Sequence, residues 1–86
     1  MRIAVIGTGY VGLVSGVCLA SKNHKVTCFD SKEDTVNQLS KGVCHIYEPG
    51  LEDLLKSCEA NIKFSLLNDT TEKEILNFDA VLVAVG

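Results

Sequence analysis

Apolar residues along this chain follow two rhythms, and the switches between them predict its elements. Residues 3–6 (Ile-Ala-Val-Ile) form an unbroken apolar run, as expected of a parallel strand covered on both faces. Residues 10–22 change to helical spacing. Val11, Val14, Cys18 and Leu19 recur as its apolar positions, and Gly12 and Gly16 fall on the neighbouring face, where a missing side chain lets helix and sheet approach. Residues 25–29 read as a second strand. Ser31, with Asp34 three positions later, resembles a capping box and predicts a helix to about Lys41. Pro49 suits the first turn of a short helix over residues 51–57, whose apolar face is Leu51, Leu54 and Leu55. Residues 62–66 read as a third strand. Asp69 and Glu72 look like the cap of a helix ending near Leu76, and residues 80–85 form a fully apolar fourth strand.

Strands separated by helices pair in parallel through right-handed crossovers, so the expected sheet order is 3-2-1-4. In that order the fourth strand is an uncovered apolar edge, which predicts self-association of the 86-residue chain.

The first strand runs directly into Gly7-Thr8-Gly9-Tyr10-Val11-Gly12, a G-x-G-x-x-G loop that opens the first helix. Asp30 closes the second strand, eighteen residues beyond Gly12. Together these form a dinucleotide-binding fingerprint, and the fold class follows: α/β, a Rossmann-type doubly wound parallel sheet, first half only. Gly7 permits the tight turn, Gly9 lets the backbone approach a pyrophosphate, and Gly12 clears the helix–strand contact. The free amides around Tyr10 and Val11 and the helix dipole then face the phosphates without a lysine, so the loop is not a P-loop.

Asp30 is expected to accept hydrogen bonds from the adenosine ribose, which favours NAD over NADP. A 2′-phosphate about 4 Å from this carboxylate is repelled by about 1 kcal/mol in water and about 4 kcal/mol at an effective dielectric of 20. Lys32 offsets part of that repulsion and joins the candidate cofactor residues. Blander readings stand beside these: glycines serving turn and packing alone, Asp30 capping the next helix, and Tyr10 either shielding the pyrophosphate or lying on the helix surface. The charged residues between Ser31 and Lys41 are most simply a solvated helix face, and His24 and His45 loop or surface residues.

Composition changes this picture little. The 86 residues are 47% hydrophobic and 22% charged with a net charge of −3, which gives no reason to expect nucleic acid or an anionic membrane as partner. The apolar stretch over residues 3–20 is broken by four glycines and holds Thr8, Tyr10 and Ser15, so it reads neither as a secretory signal nor as a membrane span, and the protein is expected in the cytoplasm. Cys18, Cys28, Cys44 and Cys58 form no C-x-x-C pair, which argues against zinc. They read as reduced thiols, with Cys18 and Cys28 acting as small hydrophobes inside a helix and a strand.

Three segments make the chain resemble the UDP-glucose/GDP-mannose dehydrogenase family: the glycine loop with its strand (residues 3–13), Ile46-Tyr47-Glu48-Pro49-Gly50-Leu51, and the final strand, residues 80–86. The second is the most specific. The resemblance implies an enzyme that oxidises the 6-hydroxymethyl group of UDP-glucose to the carboxylate of UDP-glucuronate. Two NAD are reduced, through a cysteine-bound thiohemiacetal and a thioester. It implies that Gly7 to Gly12 hold the pyrophosphate, that Asp30 holds the adenosine ribose, and that Val85 and Gly86 pass beside the cofactor. Thr35 departs from the family, many of whose members carry Lys or Arg there; Lys32 is the substitute in reach.

None of the four cysteines matches the family's catalytic one. Residues 1–86 are therefore expected to be the partial NAD-binding domain of a longer enzyme, inactive alone. The nucleotide-sugar substrate would bind the remainder, with a homo-oligomer at full length. GDP-mannose or UDP-N-acetylmannosamine dehydrogenation and a non-catalytic NAD-sensing module are the alternatives.

Overall fold

The glycine-free apolar runs become strands and the segments between them helices. The computed structural model describes residues 1–84, in the order β1 (Arg2–Ile6), α1 (Tyr10–Ser21), β2 (Lys25–Asp30), α2 (Glu33–Ser40), α3 (Leu51–Ser57), a 3-10 turn at Glu59–Asn61, β3 (Ile62–Leu66), α4 (Thr71–Ile75) and β4 (Ala80–Val83). Val85 and Gly86 lie outside the described residues. The sheet is parallel in the order β3-β2-β1-β4, as the alternation of strand and helix predicts.

Register sorts the strand residues onto two faces. Ile3 pairs with Val26, and Val26 with Ile62; one step along, Val5 pairs with Cys28 and Cys28 with Phe64. Because strand side chains alternate, these residues share one face. They form a single core with Leu13, Val17 and Ala20 of α1, Leu39 of α2, and Leu51 and Leu55 of α3. The opposite face carries Ala4 and Phe29, both fully buried. There the Phe78 ring meets Phe29 edge to face, 6.2 Å between centroids, and the Arg2 guanidinium sits 5.3 Å from the Phe78 centroid. Arg2 also ties the start of β4 to β1, its amide donating to Asp79 Oδ2 at 2.8 Å and its Nη1 to the Asn77 carbonyl at 2.9 Å.

Four expectations need correction. The buried face of α1 is Gly12, Leu13, Gly16, Val17 and Ala20; Val14 and Leu19 are only half-buried, and Val11 and Cys18 are exposed. The glycines are themselves the contact. A methyl on Gly16 would stand 2.8 Å from Cys28 Sγ, so the helix axis lies too close to the sheet for larger side chains to lead the packing. Cys18 is accordingly no small core hydrophobe, although all four cysteines are free.

Secondly, no side chain caps α2; its N-cap is Lys32, and the Ser31–Asp34 box does not form. The Asp30 carboxylate takes the Lys32 amide instead. Thirdly, Asn68 replaces Asp69 as the organiser of the α4 start. Its Oδ1 accepts from the Thr70 amide at 2.9 Å, and its own amide donates to the buried Thr71 hydroxyl at 3.0 Å. Finally, Pro49 precedes α3 rather than lying in its first turn, because Gly50, at φ +82°, is the N-cap. That left-handed conformation is one that glycine adopts without strain.

Candidate functional site

β1 ends in a turn that only glycine can make cheaply. Gly7 has φ +100°, yet its amide still donates to the Phe29 carbonyl at 2.7 Å, so the chain leaves the sheet in one residue. Gly12, five positions on, sits against the same turn. A Cβ there would lie 1.9 Å from the Gly7 carbonyl oxygen, inside any allowed contact. Gly9 differs from both. Its φ of −69° suits any residue, and a Cβ there would meet nothing within 4 Å. The fold gives no reason for glycine at this position; a ligand pressed against the loop backbone does.

α1 starts at Tyr10 with no side-chain cap and no acidic residue in its first turn. Its leading amides therefore point out beside the loop without a side-chain partner, where they and the helix dipole favour an anion. Tyr10 and Val11 are both exposed there.

Asp30 is brought to the loop by the β1–β2 pairing and held there by Thr8. Oδ2 accepts from the Thr8 amide at 3.1 Å and from the Thr8 hydroxyl at 2.5 Å, while Oδ1 accepts from the Lys32 amide at 2.9 Å. A carboxylate has about four lone-pair positions; three are occupied, and the one left belongs to Oδ1. Burial alone pushes the Asp30 carboxyl up, but the Thr8 hydroxyl, the Lys32 and Thr8 amides and the nearby His45 outweigh it, and the group is held below its ordinary range. Thr8 is 1% exposed, its hydroxyl turned to Asp30. Its position in the loop pattern is variable, so motif reading gave no signal for that tie. Lys32 is exposed at the start of α2, beyond Asp30. Thr35 is half-buried in the first turn of the same helix.

The segment over residues 43–50 runs beside Asp30 and Tyr10. His45 faces Asp30 closely enough to favour its charge. At the other end the Glu48 carboxylate stands near enough to the Tyr10 phenol to raise it, chiefly by its charge. Glu52 Oε2 accepts from the Cys44 amide at 2.9 Å, fastening the segment to α3. Tyr47 projects from it, 99% exposed. Sequence reasoning named Tyr47 and Glu48 only as a resemblance; the structure gives Glu48 a contact with the glycine loop.

No helix of the described residues is long and apolar enough to cross a membrane, and no cluster of three metal-ligating side chains occurs among them. Cys28 is pushed up to about 12 by burial, and burial, then Glu52, raises Cys44. Burial likewise raises Cys58, with a smaller upward push from Cys18.

The sequence matches the UDP-glucose/GDP-mannose dehydrogenase family, NAD binding domain, over residues 1–86. It is 46% identical to the UDP-glucose 6-dehydrogenase TuaD of Bacillus subtilis over 85 residues, covering 99% of this chain and 18% of TuaD. Among solved structures it is similar to the GDP-mannose dehydrogenase of Pseudomonas aeruginosa, with TM-score 0.87 and 32% identity over 100% of this chain and 20% of that one. It is also similar to a UDP-glucose dehydrogenase of the archaeon Pyrobaculum islandicum, with TM-score 0.86 and 36% identity over 99% of this chain and 19% of that one. The chain thus spans about a fifth of the length of the relatives it matches. A glycine loop opening a helix, an acid closing the second strand, and a parallel 3-2-1-4 sheet are what such an NAD-binding domain requires, and the chain belongs to the UDP-glucose/GDP-mannose dehydrogenase family.

Proposed function

We propose that residues 1–86 are the amino-terminal, adenosine- and pyrophosphate-binding part of the NAD site of a UDP-glucose 6-dehydrogenase. The observation that carries this reading is Gly9: a glycine with ordinary dihedrals and empty space where its side chain would be. Packing does not require it, whereas a pyrophosphate on the loop does. NAD supplies the hydride acceptor. The chain's own part is to bind and orient it.

In this reading the amides of Tyr10 and Val11 and the α1 dipole hold the pyrophosphate. Oδ1 of Asp30 accepts a hydrogen bond from the adenosine ribose, with Thr8 as its positioning residue. Lys32 stands at the outer side of the ribose, in place of a basic residue at Thr35. Val85 and Gly86 are assigned to the cofactor groove by family resemblance alone. The whole protein is proposed to oxidise UDP-glucose to UDP-glucuronate with two NAD, as a cytoplasmic homo-oligomer. The cysteine thiolate this chemistry needs is not placed in residues 1–86: none of the four cysteines matches the family's catalytic position, and burial disfavours the thiolates of Cys28, Cys44 and Cys58. The 46% identity to TuaD supports UDP-glucose over GDP-mannose as the sugar nucleotide.

Calorimetric titration of the protein with NAD and NADP tests the binding half, with Asp30→Asn beside the unaltered protein. The expected result is saturable NAD binding, at least about fivefold tighter than NADP as a screened like-charge contact requires, and loss of that preference in Asp30→Asn. NADP binding as well as NAD would overturn the role of Asp30. NADH formation by the full-length protein with UDP-glucose, GDP-mannose and UDP-N-acetylmannosamine, each alone, tests the substrate. Turnover fastest with either of the latter two would overturn that assignment.

A further inference from the structure

The four cysteines are free thiols, but two of them are neighbours across a helix pair. Cys58 is the C-cap of α3 and is 5% exposed. Its thiol turns onto α1, with Sγ 3.8 Å from the Val17 carbonyl oxygen. That oxygen belongs to the peptide unit joining Val17 to Cys18, a plane that spans only about 3.8 Å between α-carbons. The buried sulfur therefore stands beside the backbone of Cys18, forty positions earlier in the chain. The side chains are near enough for the charge of Cys18 to act on Cys58.

The two thiols differ in what they can do. Cys18 is exposed on α1, where a dissolved oxidant reaches it. Val14, one turn earlier on the same side of the helix, is half-buried against the core, so Cys18 stands at the margin of that packed face. The Cys58 thiol is held only by weak bonds, at 3.8 Å to the Val17 carbonyl and 3.7 Å to the Leu55 carbonyl. Turning its sulfur toward Cys18 gives up little. An accessible thiol beside a second, resolving thiol is the arrangement of an oxidation-sensitive pair. Cys28 differs: it is fully buried in β2, its Sγ under Gly16, closed to solvent.

We propose that Cys18 and Cys58 form a disulfide when the protein meets a hydroperoxide, and that this bond clamps α3 to α1. The Cys18 thiolate attacks the peroxide; an S–O bond forms, the O–O bond breaks, and hydroxide leaves from hydrogen peroxide. Cys58 then gives up its proton and attacks the Cys18 sulfur. The S–S bond forms, the S–O bond breaks, and the departing hydroxide takes a proton to become water. In sum, two thiols lose two electrons and two protons, and one hydrogen peroxide becomes two waters. The clamp joins the helix that opens with the glycine loop to the helix that follows residues 43–50. It touches neither Gly9 nor Asp30, so it stands apart from the NAD assignment.

The test uses the full-length protein, treated with hydrogen peroxide, quenched by alkylation and digested with trypsin without reduction. Cleavage after lysine and arginine puts each of the four cysteines in its own peptide, so mass spectrometry reads any link directly. The expected product is residues 3–22 joined to residues 57–63 with the loss of two hydrogens, and it should disappear with dithiothreitol. Hydrogen exchange of the α3 amides should slow in the oxidised protein and return to its first rate on reduction. Cys58→Ser should abolish the link and leave Cys18 as a sulfenic acid that dimedone traps. The unaltered protein alone decides the question if that variant does not fold.

Cys18 oxidised while Cys58 remains open to alkylation would overturn the proposal. So would a link from Cys18 to any other cysteine of the full-length protein. Both thiols left reduced while other cysteines oxidise would overturn it too, and would mean that another segment covers Cys18.

Discussion

The Thr8 hydroxyl donates to Asp30 Oδ2 at 2.5 Å, across twenty-two residues of sequence. The variable second position of the glycine loop thereby holds the acid at the end of β2. A hydrogen bond to a charged group contributes about 1.5–3 kcal/mol, and here it also fixes the direction of the remaining Oδ1 lone pair. Thr8→Val keeps the shape and removes the donor. The variant should lose about 1–3 kcal/mol of stability at neutral pH and bind NAD several-fold more weakly. Denaturant unfolding and calorimetry measure the two; unchanged NAD affinity would remove Thr8 from any positioning role.

The same contact sets a pH dependence. Asp30 is held below its ordinary 3.8, so the folded state binds its proton less readily than the unfolded chain. Its contribution is therefore fully present above 3.8 and is lost as pH falls through the lower, folded value. In Thr8→Val the depression shrinks, because the largest of the lowering contacts is gone. Thermal unfolding followed from about pH 6 down to about pH 2 should show a shallower acid limb for Thr8→Val than for the unaltered protein. Parallel limbs would mean that the amides of Lys32 and Thr8 hold the carboxylate without help from the hydroxyl.

Gly9 and Gly12 separate ligand from fold. Gly12→Ala drives a methyl into the Gly7 carbonyl, 1.9 Å away, and backbone cannot move aside as a side chain can. Overpacking of this kind costs about 1–3 kcal/mol and occasionally more. The variant should be clearly destabilised. Gly9→Ala meets nothing within 4 Å and needs no unusual dihedral, so its melting temperature should stay within about 2–4 °C, since a surface change alters stability by under about 0.5 kcal/mol. Its NAD affinity should nonetheless fall at least tenfold, by about 1.4 kcal/mol or more. Full NAD affinity in Gly9→Ala would show that the loop does not meet the pyrophosphate where the fingerprint places it.

Much of this was readable in advance, for physical reasons. Continuous apolar runs separated by helical spacing dictated a parallel sheet, and all four strands and their order follow from it. The glycine loop was legible because Gly7 and Gly12 each answer a local steric demand, with Gly9 between them at the fingerprint's spacing. Two of the misreadings share one cause: tertiary contacts override local pattern. The apolar side chains of Val11 and Cys18 suggested a core face of α1, but the sheet comes so close at Gly12 and Gly16 that the core face is set by the absence of side chains. Ser31 resembled a cap, yet the Asp30 carboxylate, already fixed by Thr8, reached the Lys32 amide first. No periodicity along a chain can announce a bond between Thr8 and Asp30.

Glu48 raises the Tyr10 phenol, chiefly by its charge. Glu48→Gln removes the charge and keeps an acceptor, so the phenol should titrate lower, toward its ordinary 10.0. Tyr47 is the other tyrosine of the chain, so a Tyr47→Phe background isolates the signal. Absorbance of tyrosinate followed from about pH 8 to pH 12 reads it. An unchanged midpoint would mean that the segment over residues 43–50 stands away from the glycine loop in solution, and that the motif bearing Glu48 serves something other than closing this groove.

β4 presents an apolar edge. Val81 and Leu82 are exposed, and Val83 is 64% exposed, on a strand paired only with β1 among the described residues. Unpaired backbone groups beside exposed valines are a template for another strand. The 86-residue chain on its own should therefore associate, with an average mass in sedimentation that rises with concentration. Charge on an edge strand opposes such pairing. Val83→Lys, at the most exposed of the three positions, should shift the chain toward monomer without loss of helical signal, because that side chain lies mostly in solvent. A concentration-independent monomer for the unaltered chain would show that the β4 edge is blunted by its own twist or by the residues that follow Ala84. An oligomer that Val83→Lys leaves intact would move the contact to another surface.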